Sequence, residues 1–385
     1  MGSGCRLLRT IIYRPVRSSK GKKDADVKAI VLRHAGPPAE ALNLEELPDP
    51  APGRGDVVIS VRACGVCYHD ASVRAGILRA RVAMPCIPGH EVSGVVVAVG
   101  SAVSGFRVGE RVASTQRFHI CGSCRYCRSA REPLCAEAAF LGDAGLNGGY
   151  AEYVRIEPDN LAHVPDNVSD ELASIAACAI GTAIHAIREV ARLRLGESAL
   201  VTGAGGGVGV HAVQLAKLAG AFVIGQTTSP VKVDAIRDAG ADEVVLCKRG
   251  EDFSAAVRDL SSGGVDVVID NVGTPQFQAT RRSLAPGGRW TMVGQLTGDF
   301  TPFNPAQMFL RSISLLSSTS TTRAELADVL QLISRGAIRP VITRCFGLAD
   351  AARAHEALER GAVFGRCVLT PTRPAETPAS TGNPA

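Results

Sequence analysis

The sequence predicts an α/β protein of two domains, one rich in short strands and one built on a parallel sheet with helices on both faces. Three observations predict it. Between Val27 and about Asp170 the apolar residues fall in short β-branched runs broken by Gly and Pro, V-K-A-I-V-L, D-V-V-I-S-V-R-A, G-V-V-V-A-V-G and A-E-Y-V-R-I, a texture that reads as a β-rich domain. From Ser198 the texture becomes strand, Gly-rich turn, helix, then further apolar runs at F-V-I-G-Q-T, E-V-V-L, V-D-V-V-I-D and R-W-T-M-V-G with helix-like segments between them, which argues a parallel sheet. The chain also has 385 residues, of which 46% are hydrophobic and 41 are glycine, enough material for two cores.

The first residues differ from the body. Arg6, Arg9, Arg14, Arg17, Lys20, Lys22 and Lys23 all precede the first acid, Asp24, with Leu7, Leu8, Ile11, Ile12 and Tyr13 interleaved. Two readings stand: an unstructured basic extension, or a mitochondrial transit peptide. Without those seven, the 42 basic residues fall to 35 against 37 acids, so the body is near neutral despite the net charge of +5. That balance argues against nucleic acid or an anionic membrane as partner. No apolar run reaches the roughly 20 residues of a membrane-spanning helix. Beyond about Ser317, T-R-A-E-L-A-D-V-L-Q-L-I-S-R-G reads as an amphipathic helix ended by Gly336, and G-R-C-V-L-T as a last strand returning to the first domain. From Thr370 the chain turns rich in Pro, Thr and Ala, a composition expected to be disordered.

Twelve cysteines raise the question of compartment. No secretory signal is legible and several thiols are clustered, which points to metal before disulfides. C-G-S-C-R-Y-C-R-S-A-R-E-P-L-C sets Cys121, Cys124, Cys127 and Cys135 close enough to wrap one tetrahedral zinc, a closed structural site. Iron–sulfur ligation is the alternative at this point, since three cysteines at two-residue gaps resemble half of a ferredoxin motif. A second cluster, C-G-V-C-Y-H-D from Cys64 to Asp70, admits a zinc pair, a redox dithiol or a single ligand.

The run L-V-T followed by Gly203, Ala204, Gly205, Gly206, Gly207, Val208 and Gly209 lies between an apolar strand and an apolar helix. Glycines there let the backbone approach a pyrophosphate, whose charge then sits at the helix N-terminus. The second strand of such a fold carries an acid when it binds the ribose hydroxyls of NAD. Here Thr227, Thr228 and Ser229 stand in its place, with Lys232 just beyond, so NADP(H) is favoured over NAD(H).

With G-H-E-V-S-G-V-V-V-A-V-G from Gly89 to Gly100 the sequence becomes recognisable. Together with G-V-C-Y-H-D, the four-cysteine lobe, G-G-Y-A-E-Y and G-A-G-G-G-V-G, it resembles the zinc-containing alcohol dehydrogenases of the medium-chain dehydrogenase/reductase superfamily, from about Val27 to Leu369. The resemblance implies a GroES-like catalytic domain over residues 27–176 and 317–370, with a zinc lobe at about 119–137, and an inserted Rossmann domain over 177–316. Residues 1–26 and 371–385 would flank them as disordered segments. It implies a catalytic zinc on Cys67, His90 and Cys178, with Glu91 beside the metal and Asp70 orienting His90. It also implies a second, structural zinc on the four-cysteine lobe, a small alcohol or carbonyl substrate, a homodimer or homotetramer, and a cytoplasmic location unless the basic segment is a transit peptide. Cys64, Cys86, Cys247, Cys345 and Cys367 match no ligand position and are expected in the core, as are His185 and His211.

An open zinc position facing a nicotinamide implies hydride transfer between NAD(P)(H) and an alcohol, aldehyde or ketone. Three departures complicate that expectation. Many members carry Ser or Thr two residues after the zinc Cys to relay a proton, whereas this chain has His69, either an acid/base in its own right or a residue that shapes the pocket. Tyr68 stands where many members have His or Arg. Finally, Q-T-T-S with D-N-V-G at Asp270 to Gly273 resembles the quinone and enoyl reductase branch, so an NADPH-dependent enoyl reductase of acryloyl-CoA or quinone type that retains zinc is the alternative. A non-catalytic binding protein on the same fold predicts loss of the ligands, and Cys67, His90, Glu91 and Cys178 are all retained.

Overall fold

The computed structural model describes residues 26–77, 83–143 and 146–371. The basic N-terminal segment, with its two readings, and most of the Pro-rich tail lie outside them. The first described elements form an antiparallel hairpin, Asp26–Leu32 on Leu42–Pro48, joined through a short helix at Pro38–Ala41.

The centre of the first domain is the strand Val57–Val66, buried along its length except at Arg62. It pairs antiparallel with Glu91–Val99 on one side, and with Arg366–Thr370 and Tyr153–Ile156 on the other. Burial on both faces accounts for the run V-V-I-S-V, since such a strand carries apolar, mostly β-branched side chains on both. The strand Arg366–Thr370 is the expected return of the C-terminal segment, and it also pairs parallel with Ile342–Gly347.

The second sheet has six parallel strands. In space they run Glu243–Leu246, Phe222–Thr227, Ser198–Val201, Val265–Asp270, Leu284–Met292 and Ser314–Ser317. In chain order this is 3-2-1-4-5-6, the doubly wound arrangement, and the order reverses between Ser198–Val201 and Val265–Asp270. A ligand crevice is expected at the carboxyl ends of those two strands. Among the described residues no helix is long and apolar enough to cross a membrane.

The sheets meet over one continuous apolar cluster that includes Ala63, Ala113, Ala176, Ile180, Val201, Val213, Leu326 and Val368. The helix Arg323–Ser334 faces it with Leu326, Val329, Leu330 and Ile333, the spacing of one helical face. Thr322 caps that helix: its hydroxyl accepts from Glu325 N at 3.1 Å while Glu325 Oε2 accepts from Thr322 N at 2.8 Å. Gly336, at φ +69°, ends it.

The segment A-S-I-A-A-C-A-I-G-T departs from an ordinary helix. Ala176–Gly181 and His185–Val190 are wound in i→i+5 turns around a short α-helical piece at Thr182–Ile184. Such wide turns shift the phase of the side chains and gather at functional positions. Cys178 lies inside the first of them.

Candidate metal centre and nucleotide cleft

Cys67 ends the strand Val57–Val66 and caps the helix Tyr68–Arg74. His90 immediately precedes the strand Glu91–Val99, and Cys178 arrives from the i→i+5 turn. The donor atoms of Cys67, His90, Glu91 and Cys178 all lie within 4.8 Å of one another, and all four residues are buried. The two sulfurs are 3.8 Å apart. A tetrahedral zinc about 2.3 Å from each sulfur sets them at about the same separation.

Asp70 arranges this group. Its Oδ2 accepts from Cys67 N at 3.0 Å, and its Oδ1 lies 3.0 Å from His90 Nδ1 and 3.3 Å from Gly89 N. With the Nδ1 proton given to Asp70, the imidazole presents its Nε2 lone pair to the centre. Burial pushes the Asp70 carboxyl up, but His90 beside it outweighs that and the group lies below its ordinary value. Gly89, at φ +101°, packs against the Tyr150 ring and the Cys64 sulfur where a Cβ has no room, which fixes the turn that delivers His90.

Arg366 is the partner that sequence reasoning missed. Its Nη2 is 2.8 Å from Glu91 Oε1, 3.3 Å from Cys67 Sγ and 3.5 Å from Cys178 Sγ. A Cβ on Gly207 would meet its guanidinium at 2.5 Å, so one buried cation spans the thiols and the glycine loop. Cys67 is held well below the usual thiol range, first by the hydrogen bond from Cys178 and then, against burial, by Arg366 and His90. Burial pushes Glu91 up to about 7 despite Arg366. Neither Glu91 oxygen accepts a well-directed hydrogen bond. Two thiols, an imidazole and a carboxylate with unused lone pairs are a donor set that fits zinc.

His69 stands at the rim, its ring edge-on to His90 at 5.2 Å and 4.9 Å from the Phe140 ring. Its Nε2 is 3.1 Å from Asp143 Oδ2, a carboxylate that nothing in the spacing of G-D-A-G-L-N-G-G marked out. Cys64, the other half of the C-x-x-C, is buried with its sulfur 3.7 Å from Gly65 O and is absent from the cluster.

The four sulfurs of Cys121, Cys124, Cys127 and Cys135 form the second cluster, again within 4.8 Å. Cys127 Sγ lies 3.9 Å from that of Cys121 and 3.6 Å from that of Cys124. Backbone N–H groups aim at sulfur: Cys124 N at Cys121 (3.3 Å), Cys127 N at Cys124 and Cys121 N at Cys135, both 3.5 Å. The amides of Ser123 and Cys124 bring Cys121 down to about 6, whereas burial and the neighbouring thiols push Cys127 up to about 12. The lobe is tied to the body through Glu132, whose carboxylate accepts from Arg323 N at 2.6 Å.

Gly203 to Gly209 form the turn between Ser198–Val201 and the helix Gly207–Leu218, at the point where the strand order reverses. Gln226 closes it from the next strand, its Oε1 accepting from Gly203 N at 3.1 Å and its backbone O from Ala204 N at 2.9 Å. Of the residues expected near the ribose, Thr228 is exposed and Ser229 half-buried. Thr227 is buried, with its hydroxyl accepting from Ser229 N at 3.2 Å. The Lys232 stem packs under Gly205 and its ammonium donates to Val363 O at 2.6 Å. His211 is locked between Gly207 O and Val341 N, and His185 between helices on Glu325. Cys86, Cys247 and Cys367 are buried; Cys345 is only half-buried because it lies on the strand Ile342–Gly347 at the edge of its sheet.

Known proteins resemble this chain along most of its length. Residues 53–166 match the alcohol dehydrogenase GroES-like domain, and residues 207–335 match the zinc-binding dehydrogenase family. The acryloyl-coenzyme A reductase of Sulfurisphaera tokodaii is 35% identical over 353 residues, which cover 90% of this chain and 100% of that protein. The NAD-dependent alcohol dehydrogenase of Sulfolobus acidocaldarius is 34% identical over 355 residues, with coverage of 90% and 100%. The crystal structure of AibC superposes with a TM-score of 0.83 at 43% identity, covering 91% of this chain and 97% of that one. Two cysteine-containing clusters, a glycine loop at the switch point and relatives of matching length lead to one conclusion: the chain belongs to the zinc-containing alcohol dehydrogenase family of the medium-chain dehydrogenase/reductase superfamily.

Proposed function

We propose that this chain is a zinc-dependent oxidoreductase that transfers a hydride between NADP(H) and a small alcohol, aldehyde or ketone, with two zincs per chain. The observation that carries the proposal is the convergence of Cys67, His90 and Cys178, with Glu91 beside them, in one buried cluster whose three expected ligands would leave a tetrahedral zinc one position for substrate. Zinc at that position supplies Lewis-acid polarisation of the substrate oxygen, and the nicotinamide supplies or accepts the hydride. The protein's part is positional and electrostatic. Asp70 fixes the His90 tautomer, and Arg366 balances the anionic thiols and Glu91. The backbone N–H groups at the start of helix Gly207–Leu218 receive the cofactor pyrophosphate. His69, steadied by Asp143, passes the proton between the substrate oxygen and water, in place of a hydroxyl relay. NADP(H) is favoured because no carboxylate stands at the end of the strand Phe222–Thr227, where Thr227, Thr228 and Ser229 lie with the cation Lys232 just beyond. Cys121, Cys124, Cys127 and Cys135 hold the second, structural zinc, and the protein is expected to assemble as a homodimer or homotetramer in the cytoplasm.

A second reading is an NADPH-dependent enoyl reductase that keeps zinc. It is favoured by the missing relay hydroxyl and by the relative from Sulfurisphaera tokodaii named acryloyl-coenzyme A reductase. One experiment separates the two. The purified protein is incubated with NADPH and a panel of aldehydes, ketones, enones and acryloyl thioesters while absorbance of the reduced nicotinamide is followed. Oxidation with carbonyls supports the first reading; turnover of enones alone overturns it. Metal analysis should find two zincs per chain, falling to one in Cys67→Ala with at least a thousandfold loss of kcat (on the order of 4 kcal/mol of barrier). Unchanged activity in that variant would exclude catalysis at the Cys67 centre.

A further inference from the structure

Behind Asp70 lies a buried polar chain that the proposed chemistry does not use. Tyr150 and His355 are both fully buried, the first in the loop before Tyr153–Ile156 and the second on the helix Ala351–Glu359. The Tyr150 hydroxyl is 3.4 Å from Asp70 Oδ2 and 3.0 Å from His355 Nε2. His355 Nδ1 has no hydrogen-bond partner among the described residues.

The direction of this chain follows from what can be left unpaired. A buried N–H without an acceptor is costlier and rarer than a buried lone pair without a donor. His355 therefore carries its proton on Nε2 and donates to the Tyr150 oxygen, which frees the phenolic proton for Asp70. Burial, which pushes His355 down to about 4, keeps the ring neutral and so leaves Nδ1 as that lone pair. Asp70 then accepts four hydrogen bonds, from His90 and Gly89 on Oδ1 and from Cys67 N and Tyr150 on Oδ2. A carboxylate so saturated has one orientation, and it has no proton of its own to give to His90.

We infer that Tyr150 and His355 are positioning residues for the metal centre, forming a third tier that fixes Asp70 and, through it, the His90 Nε2 lone pair. The inference rests on the reading of Cys67, His90 and Cys178 as zinc ligands. Partners of a metal-bound histidine change metal retention by about 10–100-fold when removed. The four-cysteine site, which this chain does not reach, serves as an internal control.

The test is zinc release from the full-length protein to a chromophoric chelator. Tyr150→Phe is almost isosteric and removes only the hydroxyl, His355→Leu removes the donor, and His355→Gln restores an N–H at similar reach. The first two should release one of two zincs about tenfold faster than wild type, with His355→Gln close to wild type and the second zinc unchanged in all three. Cobalt at the catalytic position should show shifted thiolate-to-metal absorption in Tyr150→Phe, which loss of packing alone does not produce. Equal release from wild type and Tyr150→Phe overturns the inference, as does faster release of both zincs together, which marks general loosening. A wild-type protein holding a single zinc, retained in the four-cysteine lobe, overturns the metal reading itself and the inference with it.

Discussion

Arg366 joins the carboxylate and the two thiols of the centre. Its guanidinium reaches the Glu91 carboxylate and both thiols, and all of them are out of water. Removing one partner of a buried ion pair strands the other charge, which costs about 3–5 kcal/mol. Arg366→Met is accordingly expected to lower the unfolding free energy of the zinc-loaded protein by about that amount, measured by chemical denaturation. The double variant Arg366→Met/Glu91→Gln should recover part of the loss, because no orphaned carboxylate remains. A double variant no more stable than the single one would show that Arg366 acts through packing alone. The residue also shows where sequence reading stops. Cys67, His90 and Cys178 were legible because each sits in a short motif shared with a family. Arg366 and Asp143 were not, because an arginine in G-R-C-V-L-T or an aspartate in G-D-A-G has meaning only through a partner far away in the chain. The C-x-x-C of Cys64 and Cys67 was ambiguous by spacing alone, and the fold brings only Cys67 into the cluster.

At the scale of elements, the strands and the glycine turn were readable from apolar period and punctuation, while the winding at Cys178 was not. A-S-I-A-A-C-A-I-G-T is apolar throughout, so it carries no phase from which an i→i+5 turn can be told from an α-helix. What holds that winding is tertiary: Gln116 Nε2 donates to Ala177 O at 3.4 Å and to Thr182 Oγ1 at 3.2 Å, on either side of Cys178. Gln116 is itself held by Ser320, and Arg117 donates to Ser320 and Thr321, both at 2.7 Å. The approach to helix Arg323–Ser334 thus braces a ligand-bearing turn. Glu325 anchors that helix. It accepts from Thr322 N and Thr322 Oγ1 and faces His185 Nδ1 at 2.9 Å. Burial pushes its carboxyl up, but His185 and Thr322 bring it below its ordinary value of 4.5. The charged form is therefore the stabilising one: its contribution is present above pH 4.5 and is lost as pH falls through the lower folded value. Glu325→Gln should cost about 1–2 kcal/mol at neutral pH. The gap between wild type and variant in urea midpoint should close on acidification below pH 4.5; a gap independent of pH would refute the charged anchor.

For the whole molecule, acid sensitivity is set in part by two histidines buried neutral, one under the glycine loop and one behind Asp70. His211 lies under the glycine loop with its Nδ1 on Gly207 O at 2.6 Å and its Nε2 accepting from Val341 N at 3.0 Å. His355 lies behind the metal centre in the first domain. Burial brings each from the ordinary 6.5 down to about 4. For His211 the geometry gives the same answer, since a proton on Nε2 would face the Val341 N–H. The unfolded chain takes up these protons near pH 6.5 and the folded one only near pH 4, so the unfolded state binds more protons between those values. Stability is then complete above pH 6.5 and falls as pH drops toward 4, by at most about 3 kcal/mol for each histidine. Ordinary carboxylates contribute little of this in the upper half of the window, because they titrate lower. Urea midpoints measured from pH 7 to pH 4.5 should therefore fall steadily in the wild type. His211→Gln, which keeps a donor and an acceptor but binds no proton, should start lower and show a shallower slope. A variant as steep as wild type would place the acid sensitivity elsewhere, whereas a flatter one ties the stability of the cofactor loop to a histidine that packs and does not react.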